Sequence, residues 1–180
     1  NPTGRVWTAA ELQEVSEFCK KHALLLYSDE IHGDLTASGV THLSALGLDP
    51  ELDDRLIVAN SPAKTFNIPG LIISYMIIPN ARLREKVRAD IDRIGMHNPS
   101  IFAMAAMEVV YTECDDWYEA MKAYIDANET FAKAYFAKHF PEMHILKREG
   151  TYLLWIDYRD LGITEQQFET WFIETANVSV

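Results

Sequence analysis

The sequence predicts an α/β fold in which a mostly parallel sheet is followed by a smaller α+β unit. Three observations predict it. Short continuous apolar runs at Ala23–Tyr27, Leu56–Asn60 and Leu71–Ile78 are interleaved with helical stretches, as in a parallel sheet covered by helices. One long helical pattern, from Asp116 to about Phe140, then separates this part from a set of short strands. Finally, Thr8-Ala9-Ala10-Glu11 and Thr164-Glu165-Gln166-Gln167 are capping boxes, each marking a helix start.

In chain order, Asn1-Pro2-Thr3-Gly4 has the chemistry of a tight turn. A helix is expected from Thr8, with Leu12, Val15, Phe18 and Cys19 on one face and Lys20-Lys21-His22 at its negative C-terminal end. Ala23–Tyr27 reads as a strand buried on both faces, ending in Ser28-Asp29-Glu30-Ile31-His32-Gly33-Asp34. A loop with Gly39, Gly47 and Pro50 leads to the strand Leu56–Asn60, and Pro69-Gly70 punctuates before the run Leu71–Ile78. Asn80 is placed to cap a charged helix to about Ile94, and Asn98-Pro99-Ser100 begins another to about Glu113. The long helix carries Trp117, Met121, Tyr124, Ile125, Phe131, Tyr135 and Phe136 on a face expected to be core. Strands are expected at His144–Leu146 and Thr151–Ile156, a helix from Thr164, and a last strand at Asn177–Val180. The expected division is 1–115 for part of a larger domain and 116–180 for the long helix and part of a smaller one.

Composition narrows the function classes. With 180 residues, 48% hydrophobic and 24% charged, the chain is long enough to bury a core. A net charge of -11, distributed along the chain, argues against a nucleic-acid backbone or an anionic membrane surface as partner. No apolar run reaches the ~18 residues of a membrane span. Cys19 and Cys114 lie far apart without metal-ligand spacing, so reduced thiols in a cytoplasmic protein are expected. Opening inside a turn and closing inside a strand, the chain is expected to be a piece of a longer one.

Chemistry concentrates at two strand ends. Lys64, in Ser61-Pro62-Ala63-Lys64-Thr65-Phe66-Asn67, follows the strand Leu56–Asn60 and sits among small and apolar residues. A desolvated lysine has a lowered pKa and can form a Schiff base with a carbonyl. Asp29 falls just past the preceding strand. In open parallel sheets ligands bind beyond the carboxyl ends of strands, so topology puts an acid and an amine at one crevice.

Asn1-Pro2-Thr3-Gly4, Ser28-Asp29-Glu30-Ile31-His32-Gly33-Asp34-Leu35 and Ser61–Asn67 occur in that order. Together they resemble the pyridoxal-phosphate-dependent aminotransferase superfamily of fold type I. Asp29-Glu30-Ile31-His32, Gly4-Arg5-Val6-Trp7 and Gly150-Thr151-Tyr152-Leu153-Leu154-Trp155 bring the chain nearest its cystathionine β-lyase branch, whose chains are about twice as long. The resemblance implies a PLP-transferase-like large domain and a small C-terminal domain, both partial, in a cytoplasmic homodimer. It implies that Lys64 holds pyridoxal 5'-phosphate covalently and shuttles the substrate Cα proton. Asp29 would pair with the pyridine nitrogen, Asn1 and His32 would face the phenolic oxygen, and Ser61 would bind the phosphate. His32 stands where many relatives have a tyrosine, and Ile72 where many have a phosphate-binding arginine. That leaves Thr65, Asn67 and residues outside the chain for the phosphate. Glu30 and Asp34 are expected to face solvent or a dimer partner, Tyr152 to pack in the core in preference to lying near the substrate mouth, and Arg5, Arg148 and Arg159 to be surface charge.

The activity expected from this resemblance is β-elimination at a cysteine-type amino acid, releasing a thiol, pyruvate and ammonia. The alternatives are transamination on the same residues and, in another class, a non-catalytic domain that senses the cofactor or an amino acid.

Overall fold

A computed structural model describes residues 3–96 and 98–178. The chain runs α1 (Ala9–Lys21), β1 (Leu26–Asp29), β2 (Leu56–Asn60), α2 (Pro62–Thr65), β3 (Tyr75–Ile77), α3 (Ala81–Arg93), α4 (Ile101–Thr112), α5 (Asp115–His139), β4 (His144–Ile145), β5 (Ile156–Asp157) and α6 (Glu165–Thr170). Both capping boxes form: Thr8 accepts from the Glu11 N–H, Thr164 from the Gln167 N–H, and each partner side chain returns the bond. Asn80 caps α3 through the Leu83 N–H, as its position before the charged stretch predicts.

Strands β1, β2 and β3 form one sheet in that order, with β1 parallel to β2. β2 is the central strand, and Leu56 to Ala59 are all buried. Val15 and Cys19 of α1 pack with Leu52, Leu56 and Val58 into the main apolar cluster. Removing such side chains from water is the chief stabilising term for the sheet.

The structure departs from the sequence expectation at several elements: the run Leu71–Ile78 yields only the strand Tyr75–Ile77, and the strand expected at Thr151–Ile156 only Ile156–Asp157. β1 starts at Leu26, because Ala23 takes a left-handed φ of 53° straight after α1. Its side chains alternate between half-buried and exposed, so it is not covered on both faces. β3 is antiparallel to β2, which makes the sheet mixed. The intervening α2 is a single turn, too short to carry the chain back along the sheet as a crossover helix does. The aromatic face of α5 is not core: among the described residues none on this helix is buried, and Tyr124 and Phe131 are largely exposed. At the C-terminal end, Asn177 has φ 53° and the Val178 N–H bonds to the Phe172 carbonyl, so residues 177–178 close a helical turn instead of opening a strand.

The two parts of the chain are joined by residues 148–151, which lie between Gly4 and the loop after β1. The Glu149 and Gly150 N–H groups both donate to the Gly4 carbonyl, at 2.6 and 3.0 Å. Gly150 bridges to Thr36, and the Thr151 N–H donates to the Leu35 carbonyl at 2.7 Å. Gly4 has φ 75°, and a Cβ on Gly150 would lie 3.3 Å from Val6 Cγ2, so a side chain at either glycine would disturb this approach. Arg148 anchors it. Only 5% exposed, it donates to Glu129 and to the Thr151 carbonyl, each at 2.8 Å, and pairs with Asp126. The expectation of a surface arginine is therefore corrected. A buried guanidinium persists only where carboxylates and carbonyls replace its water, and α5 supplies them one turn apart. Arg148→Ala leaves both carboxylates without their partner and is expected to destabilise the fold by about 3–5 kcal/mol in urea unfolding.

Candidate active site

The site is built from the loop after β1, the turn after β2 and the face of α5. Ser61 is the N-cap of α2: its hydroxyl accepts from the Ala63 N–H at 3.0 Å and donates to the Ile73 carbonyl at 2.5 Å. Pro62 at the first helical position suits the one-turn helix, and Lys64 follows half-buried in its last turn. Thr65 is buried and donates to Asp34 at 3.0 Å, so its hydroxyl is engaged within the protein. Behind the lysine, Phe66 is seated among Tyr111, Trp117 and Tyr118, with ring centroids 5.5, 6.0 and 6.2 Å away. Those rings tie the turn to the junction of α4 and α5. The Tyr118 hydroxyl also donates to the Asp34 carbonyl at 2.5 Å, fixing the β1 loop to the same helix.

Lys64 lines two clefts. One, of about 380 Å³, also has Ala63, Asn67, Trp117, Met121, Ile125 and Tyr152 in its walls. The other, of about 680 Å³, is bounded by Ile31, Ser61, Ile72, Ile73 and Ser74 among others. Ile72 is 87% exposed at a left-handed φ of 49°, so the position after this turn offers a cleft only a hydrocarbon. Asn67, also at a left-handed φ of 53°, reaches the smaller cleft beside the lysine.

Asp29 ends β1, opposite Ala59 of β2, and its Oδ1 accepts from the Ile31 N–H at 3.1 Å. It is exposed and opens on a small separate hollow of about 80 Å³ shared with Glu30, His32 and His42. The acid and the amine thus adjoin one loop but line different hollows. His32 links them. It lines the Asp29 hollow, while its ring lies 5.6 Å from that of Tyr152 in the Lys64 cleft. Its Nδ1 is buried with no hydrogen-bond partner among the described residues. Burial pushes the His32 pKa below its usual value, the Lys64 charge pushes the same way, and Asp29 opposes them. Asn1 lies outside the described residues.

Three neighbours are not where the sequence reading put them. Glu30 is 7% exposed and gathers Ser28 Oγ, His42 Nε2 and the Ala45 N–H at 3.0, 3.0 and 2.8 Å. Burial alone would raise its pKa; the bonds from His42 and Ala45 outweigh that and hold it below the usual carboxylate range. Asp34 is half-buried under Thr65 and Tyr118. Tyr152, expected in the core, is 42% exposed and faces the lysine. Trp117, Met121 and Ile125 follow a four-residue spacing that marks one helix face, but the sequence does not say what that face meets.

The model of the family "Aminotransferase class I and II" matches residues 1–180. The chain belongs to this family. It is 32% identical over 178 residues to cystathionine beta-lyase PatB of Bacillus subtilis, covering 99% of this chain and 46% of that protein. It is likewise 32% identical over 181 residues to protein MalY of Escherichia coli, covering 100% and 46%. Aspartate aminotransferase of Geobacillus stearothermophilus is 28% identical over 187 residues, covering 100% and 46%. Among solved structures, cystalysin from Treponema denticola, which contains a pyridoxal 5'-phosphate cofactor, superposes with a TM-score of 0.94 at 36% identity, covering 99% of this chain and 45% of that one. The chain spans about half the length of the relatives it matches. The fold is that of the PLP-dependent aminotransferases, with the sheet mixed rather than mostly parallel in this portion.

Because the folded state favours neutral His32, this residue adds stability that is fully present above its unfolded pKa of about 6.5. That stability is lost as pH falls through the lower folded value. Urea midpoints measured from pH 7.5 down to 5.5 should therefore fall less in His32→Gln than in the parent protein.

Proposed function

We propose that this chain is the lysine-bearing part of a pyridoxal-phosphate enzyme that eliminates the β-substituent of a cysteine-type amino acid. One observation carries the reading: Lys64 stands at the end of β2, and Asp29 ends the adjacent parallel strand. The chain's likeness to cystathionine beta-lyase PatB over 99% of its length supports it. Residues 1–115 are read as part of the large cofactor-binding domain, and 116–180 as the connecting helix with part of the small domain.

The residues present fit the cofactor. Lys64 is half-buried beside two clefts and forms no ion pair among the described residues, so its amine is available for covalent attachment. Asp29 would hold a proton on the pyridine nitrogen, as a carboxylate beside a cation does. His32, neutral and with Nδ1 unpartnered, would share a hydrogen bond with the phenolic oxygen, with Asn1 as the second group there. Ser61 would hold the phosphate by turning its hydroxyl proton away from the Ile73 carbonyl. Thr65 is engaged with Asp34 and Ile72 is apolar, so Asn67 is left as the candidate near the lysine.

Bound pyridoxal phosphate supplies an electron sink for the pair left when Cα loses its proton. Lys64, once released from the cofactor, would take that proton as general base. The β C–S bond would then break, its electron pair leaving on sulfur, which takes up a proton to give the thiol, while the Cα pair forms the Cα–Cβ double bond; water hydrolyses the released enamine to pyruvate and ammonia. A homodimer in the cytoplasm goes with this reading, and sedimentation of the intact protein checks the dimer.

The assay is L-cystathionine with the intact, cofactor-loaded protein. Pyruvate release is expected. Amino transfer to a keto acid without pyruvate would favour the aminotransferase reading, which the likeness to aspartate aminotransferase also supports. Asp29→Ala should keep the visible absorbance of the lysine-linked cofactor yet lower kcat by roughly a hundredfold or more, through loss of a preorganised charge.

A further inference from the structure

We infer that Thr151 is a strained positioning residue that holds the Tyr152 ring as a wall of the substrate cleft at Lys64. The inference rests on the reading of Lys64 given above and adds to it a determinant of substrate affinity from the second part of the chain.

Tyr152 is exposed to the cleft instead of packed. It shares the 380 Å³ cleft with Lys64, and its ring lies 5.6 Å from His32, so it adjoins both groups proposed to face the cofactor. Trp117, Met121 and Ile125, one turn apart along α5, complete the same wall. Lys64 is the one charged residue among those lining this cleft. An apolar and aromatic wall of this kind takes a substrate side chain whose portion next to Cβ is of carbon or thioether character, with the ring offering sulfur a favourable contact.

What aims the ring is its neighbour. Thr151 has φ 65°, a left-handed conformation in which a β-branched residue is a true outlier. Such strain survives only where the surroundings over-determine it. Here they do so on every side. The Thr151 N–H donates to the Leu35 carbonyl at 2.7 Å, its carbonyl accepts from buried Arg148 at 2.8 Å, and its hydroxyl accepts from the Leu153 N–H at 3.0 Å. The residue itself is 3% exposed. The next residue therefore leaves the strap in one fixed direction, into the cleft.

The test uses the intact protein loaded with pyridoxal phosphate and titrated with L-cystathionine, following the change in the cofactor's absorbance so that no turnover is needed. Tyr152→Ala should leave the lysine-linked absorbance intact and raise the half-saturating concentration roughly fivefold to tenfold, the scale of one aromatic contact. Tyr152→Phe, which keeps the ring, should restore it to within about twofold. Thr151→Gly suits the left-handed backbone and should fold, yet it frees the ring and should weaken binding in the same direction. Unchanged half-saturation in Tyr152→Ala would overturn the wall. Unchanged half-saturation in Thr151→Gly would overturn the positioning role of Thr151, whether or not Tyr152→Ala folds. Absence of lysine-linked absorbance in the parent protein would instead overturn the reading of Lys64.

Discussion

The buried guanidinium of Arg148 is the interaction on which the arrangement of this chain depends. Held by two carboxylates of α5 and the Thr151 carbonyl, it fixes residues 148–151 against the long helix. Those same residues bond to Gly4, Leu35 and Thr36, so one strap connects the segment at Gly4, the loop after β1 and the second part of the chain. A charge removed from water needs all its partners at once, which makes this joint intolerant of displacement. Its position next to Tyr152 transmits that intolerance to the cleft at Lys64.

The chemistry is placed by a second, local device. α2 is one turn long, begun by Ser61 and Pro62 and closed by Phe66 in an aromatic nest. A flexible lysine stem is thereby given a fixed root beside β2. The loop after β1 is held just as firmly by the buried Glu30 carboxylate and by Asp34. Loops that carry function are useful when a rigid scaffold positions them, and here the scaffold is hydrogen-bonded carboxylates more than apolar packing.

Much of this was legible in the sequence. The capping boxes at Thr8 and Thr164, the Asn80 cap, the placement of Lys64 after β2 and that of Asp29 at the end of β1 follow from local chemistry, and local chemistry survives in the fold. What was not legible depends on residues distant in sequence. Arg148 looks like any surface arginine until Asp126 and Glu129, 22 and 19 positions earlier, are seen beneath it. Glu30 finds its partners 12 and 15 residues later in a loop without periodicity. The antiparallel course of β3 follows from how little helix separates it from β2, which the apolar run Leu71–Ile78 conceals. The aromatic face of α5 reads as core by periodicity, but periodicity reports a face and not what covers it.

The central claim is that Lys64 carries the cofactor. Reducing the intact, pyridoxal-phosphate-loaded protein with borohydride and mapping its peptides by mass spectrometry tests it most directly. The account predicts a single cofactor adduct, on Lys64, and none on any lysine in Lys64→Ala. An adduct on another lysine, or one that persists at full yield in Lys64→Ala, would contradict it.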